Sequence, residues 1–152
     1  ESEDPDLLTA LATTREKLYE AAVKAIGTEI SPRDVAPDEL ACAEGVSMLL
    51  RSVEPTVPIK ISTVELKKYF DKTKTLFKAT LTPLPGNIVI SVTGSGNGKI
   101  RNGHVGIFGD KENIMSNDSG TGLWKQNYSI STWVQRYKTT GGMAVHYYEL
   151  TG

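Results

Sequence analysis

The stretch DELACAEGVSMLLR, residues 38–51, carries the only cysteine of the chain and predicts the helix around which the fold is built. It opens with two acidic residues, which are favoured in the first turn of a helix because the unpaired N–H groups there attract negative charge. Apolar residues then recur at the spacing of one helical face: Cys42, Val46, Leu49, Leu50 and Val53. We therefore expect this helix to turn Cys42 inward, toward the element on which it packs.

Two interpretations of Cys42 follow from this position. Free cysteine is among the most buried residue types, so a structural role as a small core side chain is the first. The second is a nucleophile, whose thiolate is favoured by the positive end of the helix dipole. The helix does not decide between them, whereas a histidine on a later strand with a polar neighbour favours the nucleophile.

Composition excludes several classes of function. The 152 residues carry 17 basic and 18 acidic side chains, and this balance gives no electrostatic footprint for nucleic acid. One cysteine excludes an internal disulfide framework, and one cysteine with two histidines does not supply a usual zinc site, so we expect no metal or cofactor. No apolar run is long enough for a membrane span. We expect one domain over residues 1–152, with a leading helix and connector in 1–37 and the core in 38–152.

The order of predicted elements is helices first and strands afterwards, which is typical of an α+β fold with an antiparallel sheet. A leading helix is expected from about Asp4 to Gly27, and Ser62 with Glu65 forms a capping box for a third helix. Strands are expected from Phe77 onward, where apolar residues begin to alternate. The glycine-rich residues 93–98 lack the ending of a phosphate-binding loop and are interpreted as a hairpin loop. A short helix bearing Trp133 and Tyr137 is expected after a serine cap at Ser129 or Ser131.

The hairpin after His104 selects a partner for that histidine. If Phe108 and Asn113 close a four-residue turn, the numbers of paired residues add up to 221, and His104 lies opposite Asn117. A register one residue longer places Asp118 there instead. Cys42, His104 and Asn117 are therefore the predicted nucleophile, base and orienting residue, with Asp118 second for the last role.

The helix-borne Cys42, the strand signal in residues 85–90 and the run GHVGIFG at 103–109 resemble the NlpC-like cell-wall cysteine peptidases and the related CHAP amidases. NlpC-like members usually carry Asp-Cys-Ser at the nucleophile, whereas this chain has alanine on both sides of Cys42. The resemblance implies a papain-like fold with N-terminal helices, in which the cysteine helix packs on the antiparallel sheet. It gives Cys42, His104 and Asn117 the roles already predicted for them.

The same resemblance implies hydrolysis of an amide in bacterial peptidoglycan, within the stem peptide or between peptide and sugar, without a cofactor. It places the protein outside the cell, in the cell envelope or among phage lysins, and we expect a monomer. The backbone N–H of Cys42 would help to hold the oxyanion, and Trp124 and Tyr128 are candidates for the wall of a substrate groove. A cysteine acyltransferase, a deamidating effector and a non-catalytic binding module on the same fold remain as alternatives.

Overall fold

The computed structural model describes residues 12–31 and 38–152. Within these ranges three helices come first: α1 Thr14–Ala25, α2 Asp38–Val53 and α3 Thr63–Lys72. The strands are β1 Phe77–Thr80, β2 Ile88–Ser91, β3 His104–Phe108, β4 Asn113–Asn117, β5 Trp124–Ser129 and β6 His146–Leu150. Between β5 and β6 lie helix α4 Ile130–Trp133 and a π-helical segment, Val134–Thr140. The start of the leading helix predicted near Asp4 falls outside the described residues.

The six strands form one antiparallel sheet in the order β1-β6-β2-β3-β4-β5. The predicted α+β arrangement, with helices first and an antiparallel sheet after them, is therefore confirmed for the described part of the chain. Within that part, no helix has the length and apolar character needed to cross a lipid bilayer.

Side chains alternate between two faces of the sheet, and both faces are covered. The helix-covered face includes Ile88, Ile90, Val105, Ile107 and Met115, which share one apolar cluster with buried residues of the three N-terminal helices. We call the other side the cleft face; its apolar cluster joins strand residues to α4 and the π-helical segment and consists of Val89, Phe108, Ile114, Trp133, Tyr137 and Met143. Because successive strand residues point in opposite directions, these two sets do not mix.

Helix α2 lies against the helix-covered face and is buried over most of residues 42–50, whereas Met48, Arg51 and Ser52 are exposed. Cys42, Val46 and Leu50 are each 0 % exposed, which confirms that this side of the helix turns inward. The burial extends beyond the predicted stripe, since Glu44 and Ser47 are also buried. Ser31 donates a hydrogen bond of 2.5 Å to the Glu44 carboxylate, and Ser47 bonds to the backbone of Lys60. The middle of helix α2 is therefore buried on more sides than the predicted stripe alone requires.

The serine caps predicted for two later helices are present, but of the capping box predicted at Ser62 and Glu65 only the serine half forms. Ser62 Oγ accepts a hydrogen bond of 3.1 Å from the backbone N–H of Glu65 at the start of α3. Ser129 caps α4 by accepting from the backbone N–H of Thr132, so that of the two predicted serines it is the first that acts. Each cap fixes where a strand or connector ends and a helix begins.

Helix α1 is attached to the sheet through its buried side. Leu18 and Ala22 are fully buried, and the indole N–H of Trp124 donates to the Ala22 carbonyl at 3.0 Å. Thr13 forms a reciprocal capping box with Glu16 at the start of this helix. Leu7, Leu8 and Leu11, which belong to the leading helix predicted from about Asp4, fall outside the described residues.

The Thr13→Ala variant is expected to lower the free energy of unfolding by about 1 kcal/mol, because it removes the side chain that accepts the N–H of Glu16. Urea unfolding of the variant and of the natural chain measures this difference. Glu20→Ala, an exposed change on the same helix, is the control and is expected to change stability far less. An equal loss in both variants would show that the cap is not a source of stability.

The predicted register of the β3–β4 hairpin is wrong by one residue. Ile107 pairs with Met115 and Phe108 with Ile114, so paired numbers add up to 222 instead of 221. The turn contains three residues, Asp110–Glu112, and is closed by a hydrogen bond of 2.7 Å from the Gly109 N–H to the Asn113 carbonyl. Two non-glycine residues of this turn, 111 and 112, have φ of 53° and 62°, and this left-handed backbone lets three residues reverse the chain. Continued to the start of β3, the observed register sets Asp118 rather than Asn117 opposite His104.

Candidate functional site

A cleft of about 260 Å³ opens at the end of the sheet where β3 begins and β4 ends. Its walls are the loop and strand residues 99–104, residues 117–119 at and after the end of β4, two residues of β5, and Arg136 with Tyr137 of the π-helical segment. His104, Asn117, Asp118 and Tyr128 are therefore gathered at one cleft. Cys42 and Trp124 are not among its lining residues.

Cys42, His104 and Asn117 nevertheless lie toward the same end of the sheet. Glu54, just after α2, is near Gly152, since a Cβ on that glycine would lie 3.4 Å from the Glu54 carboxylate. Gly152 follows β6, which ends beside the start of β2 and the end of β3. The C-terminal end of α2 is therefore at that side, and its first turns, with Cys42, lie toward the opposite end. His104 begins β3 and Asn117 ends β4 at this opposite end.

The imidazole of His104 belongs to the cleft face. His104 pairs with Ser91 across β2, and its ring stacks on Trp133 with centroids 5.2 Å apart and an interplanar angle of 25°. Trp133 also donates its indole N–H to Ser91 Oγ at 3.1 Å, which fixes both rings on the same side of the sheet. Tyr128 and Tyr137 complete the aromatic surroundings at 5.7 and 6.0 Å.

These surroundings lower the pKa of His104 from its ordinary 6.5 to about 4. Burial of the ring is the larger cause, because an apolar environment disfavours the charged form, and the positive charge of Arg136 acts in the same direction. His104 is therefore a neutral imidazole near pH 7. The electrostatics of this position oppose an imidazolium.

Cys42 lies on the other side of the sheet from the His104 ring. It is fully buried in the cluster that contains Val105 and Ile107, the strand residues that alternate with His104. The structure therefore brings the two residues to one end of the sheet but does not bring thiol and imidazole together. The physical reason is the period of two along β3: helix α2 covers the valine and isoleucine face, so the histidine faces away from it.

The oxyanion role expected for the Cys42 backbone also changes. Helix α2 begins at Asp38, so Cys42 is its fifth residue. Only the first four N–H groups of an α-helix lack a partner within the helix. The Cys42 N–H therefore lies beyond the free donors of this terminus.

Asn117 and Asp118 line the same cleft as His104, but each has other surroundings. Asn117 pairs with Trp124, is 5 % exposed, and its Oδ1 has no hydrogen-bond partner within the described residues. Asp118 accepts from the Thr121 hydroxyl at 2.8 Å and lies 3.5 Å from the Lys125 ammonium. These contacts, led by the Thr121 hydrogen bond, lower the pKa of Asp118. Asn117 was selected as the orienting residue because a four-residue turn would place it opposite His104. Since the turn has three residues, that reason no longer applies.

The two aromatic residues expected in a substrate groove have different positions. Trp124 is 0 % exposed and lies in the cluster on the helix-covered face, and it is not among the residues that line this cleft. Its indole N–H is used by the Ala22 carbonyl, which ties α1 to β5. Tyr128 does line the cleft, and its hydroxyl lies 3.3 Å from that of Tyr137.

Sequence reasoning missed the cationic side of this cleft. Lys99, Arg101 and Arg136 all line it, yet they are far apart in the chain and belong to no motif. Arg136 lies with Tyr137 on the π-helical segment, a rare geometry that is frequently found at functional sites. The sequence predicts a helix that bears Trp133 and Tyr137. The position of Arg136 directly before Tyr137 was the one sequence signal that this arginine would lie beside the same aromatic residues. No cluster of three or more His, Cys, Asp or Glu suited to a metal ion is present in the described ranges.

The depressed pKa of His104 predicts that acid destabilises the fold. Between pH 6.5 and about 4 the unfolded chain binds a proton at His104 that the folded chain does not bind, so stability falls as pH falls through this window. The expected loss is about 2–3 kcal/mol. Urea unfolding at a series of pH values measures the slope, and His104→Gln is expected to remove the greater part of it. A slope unchanged in His104→Gln would mean that another group is responsible.

Sequence comparisons add no assignment to this geometry. A scan against protein-family models finds no match to the chain, and a search of curated proteins finds none either.

Proposed function

We propose that the chain is a cysteine peptidase or amidase of the NlpC or CHAP kind, with a papain-like arrangement, that hydrolyses amide bonds of bacterial peptidoglycan. The observation that supports this most is the convergence of Cys42, His104 and Asn117 on one end of the sheet. The cysteine precedes the histidine in the chain, is borne on a helix packed against the histidine's strand, and lies in the early part of that helix. The sequence resemblance supports the same order of elements.

In this proposal Cys42 Sγ attacks the amide carbonyl and forms a thioester, while His104 takes the thiol proton and gives it to the leaving amine. Water then attacks the thioester, gives up a proton to His104, and releases the carboxylic acid as the thiol is restored. The observed register of the β3–β4 hairpin gives no reason to assign the orienting role to Asn117, so the third residue of the site is left unassigned. The oxyanion must be held by donors other than the Cys42 N–H of the intact helix.

Catalysis sets a condition on the conformation of this site. Thiol and imidazole must come within hydrogen-bond reach, whereas here the imidazole stacks on Trp133 and Cys42 is fully buried on the other face. The reacting state therefore requires His104 to leave the aromatic stack and the first turns of α2 to expose Cys42. An enzyme of this kind would react slowly until substrate favoured that state.

Mass spectrometry of purified peptidoglycan after incubation with the natural chain tests the proposal. We expect new fragments that each carry one free amine and one free carboxylate, and the fragment masses identify which amide was cut. An unchanged fragment pattern at high enzyme concentration, from sacculi of several peptide types, would contradict the hydrolase.

A second candidate is a binding module on the same fold with an inert thiol. The specific observation in its favour is that Cys42 is 0 % exposed, in the helix-side cluster, with His104 on the opposite side of the sheet. Iodoacetamide at pH 6 separates the two candidates. The hydrolase requires an opening that exposes a reactive thiolate and predicts labelling of the folded protein, whereas the binding module predicts labelling only at the rate of global unfolding.

A further inference from the structure

The cleft beside His104 carries an excess of positive charge. Lys99, Arg101 and Arg136 line it, and Asp118 is the one carboxylate among its lining residues in the described part of the chain. That carboxylate is already engaged by Lys125 and by the Thr121 hydroxyl. His104 adds no charge near pH 7, because burial and Arg136 hold its pKa at about 4. An occupant that brings negative charge is therefore favoured over a neutral or cationic one.

Arg136 is the best placed of these cations. Its guanidinium carbon lies 5.5 Å from the centroid of the Tyr137 ring, and the Tyr137 side chain is itself buried. This contact orients the guanidinium before any ligand arrives, which reduces the conformational entropy lost on binding. Within residues 12–31 and 38–152, Arg136 forms no ion pair with a carboxylate. Its guanidinium interacts with the Tyr137 side chain by a hydrogen bond, and its remaining N–H donors are available to an anionic ligand.

Neutral hydrogen-bonding groups surround the cations. The side-chain amides of Asn102 and Asn127 and the hydroxyl of Tyr128 belong to cleft-lining residues. Asn117 also borders the cleft, but it alternates with Met115 and pairs with Trp124, so its side chain turns toward the helix-covered face. The N–H groups of the two amides and the tyrosine hydroxyl are donors that suit the carbonyl of a bound peptide group.

We propose that this cleft is a binding site for the carboxylate of a short peptide, with Arg136 as the residue that holds the carboxylate. The side-chain amides then pair with the adjoining peptide group. The inference depends on the cleft alone and not on Cys42, so it holds for a hydrolase and for a binding module alike. The carboxylate comes either from a chain terminus or from an acidic side chain, since both present the same group.

Titration of the natural chain with small probes, followed by nuclear magnetic resonance, tests the proposal. The probes are acetyl-alanyl-alanine with a free carboxylate, the same dipeptide as its C-terminal amide, and acetyl-glutamyl amide with only a side-chain carboxylate. We expect the carboxylate probes to shift the signals of Arg136, Tyr128 and Tyr137, and the C-terminal amide to have no effect. Tighter binding of the first or the third probe identifies the source of the carboxylate.

Substitution of the arginine gives the matched comparison. Arg136→Gln is expected to weaken carboxylate binding by about 10- to 100-fold, the range for a hydrogen bond to a charged group. Arg51→Gln removes an exposed arginine at the far part of α2 and is expected to leave binding unchanged. Both arginines are exposed, so neither substitution is expected to disturb the core. An unchanged melting temperature of each variant confirms that the fold is retained.

Three outcomes would overturn the proposal. Equal binding of the amide and carboxylate dipeptides would show that charge is not recognised, and unchanged affinity in Arg136→Gln would remove the assigned residue. Inorganic phosphate that binds as tightly as either peptide would replace a peptide site by a general anion site. None of these outcomes bears on hydrolysis, which is measured separately by the Cys42 variants.

Discussion

The Cys42→Ala variant is expected to remain folded and to release no detectable fragments from peptidoglycan, under the proposed hydrolase function. Loss of a catalytic nucleophile lowers turnover by about 10⁴-fold or more, because no other group can form the acyl-enzyme. Alanine keeps the helix and removes only the sulfur from a buried position, so we expect a loss of about 1 kcal/mol in stability. Fragment release is measured by mass spectrometry, and folding by circular dichroism and the melting temperature.

A histidine pair provides the control for this prediction. His104→Gln is expected to be about as damaging as Cys42→Ala, and the double variant little worse, because the two residues act as one unit. His146→Gln, at a half-buried histidine of β6, is expected to retain activity. Continued fragment release by Cys42→Ala would contradict the proposal that Cys42 is the nucleophile. It would not affect the proposed carboxylate site at Arg136, which the peptide titration tests separately.

The Trp133→Ala variant is expected to lower the free energy of unfolding by about 3–5 kcal/mol, the range for removal of a large buried aromatic side chain. Trp133 is 0 % exposed and packs its ring against His104, Tyr128 and Tyr137 at centroid distances of 4.9–5.3 Å. Its indole N–H also satisfies the buried Ser91 hydroxyl. Denaturant unfolding measures the loss.

The same variant has an effect that a purely structural change elsewhere would not have. Removal of the indole exposes the His104 ring to water, so its pKa is expected to rise from about 4 toward 6.5. Proton titration by nuclear magnetic resonance measures this pKa. Trp133→Phe, which keeps one aromatic ring but loses the N–H and the second ring of the indole, is expected to cost less stability than Trp133→Ala and to leave the His104 pKa lower. A His104 pKa unchanged by Trp133→Ala would mean that the stack is not the source of its burial.

The helices, the strands and their caps were accessible to sequence reasoning because they depend on local pattern. The apolar spacing in residues 38–51 predicts a helix with Cys42 inward, and Cys42 is fully buried in that helix. Ser62 acts as the predicted cap, and the change to alternating residues near Phe77 marks the first strand. Each of these signals lies within a few residues of the feature it predicts.

The register of one hairpin shows where local reasoning stops. The pattern of β3 and β4 fits a turn of three or of four residues, and only the left-handed backbone at Lys111 and Glu112 selects the shorter one. A slip of one residue exchanges the faces of a strand. That slip replaces Asn117 by Asp118 opposite His104, and it changes the choice of orienting residue.

The sequence by itself determined that this chain forms N-terminal helices followed by an antiparallel sheet, with its cysteine turned into the core. Only the tertiary structure decided which face of the sheet the cysteine helix covers, and therefore that His104 faces Trp133 and Arg136 instead of Cys42. It also decided that Lys99, Arg101 and Arg136, far apart in the chain, line one cleft. Hydrophobic periodicity predicts which residues are buried. It does not predict which element covers them, because burial of either apolar face of a sheet is equally favourable. The choice between them depends on how the packed helices and the π-helical segment fit around the sheet, which no short stretch of sequence contains.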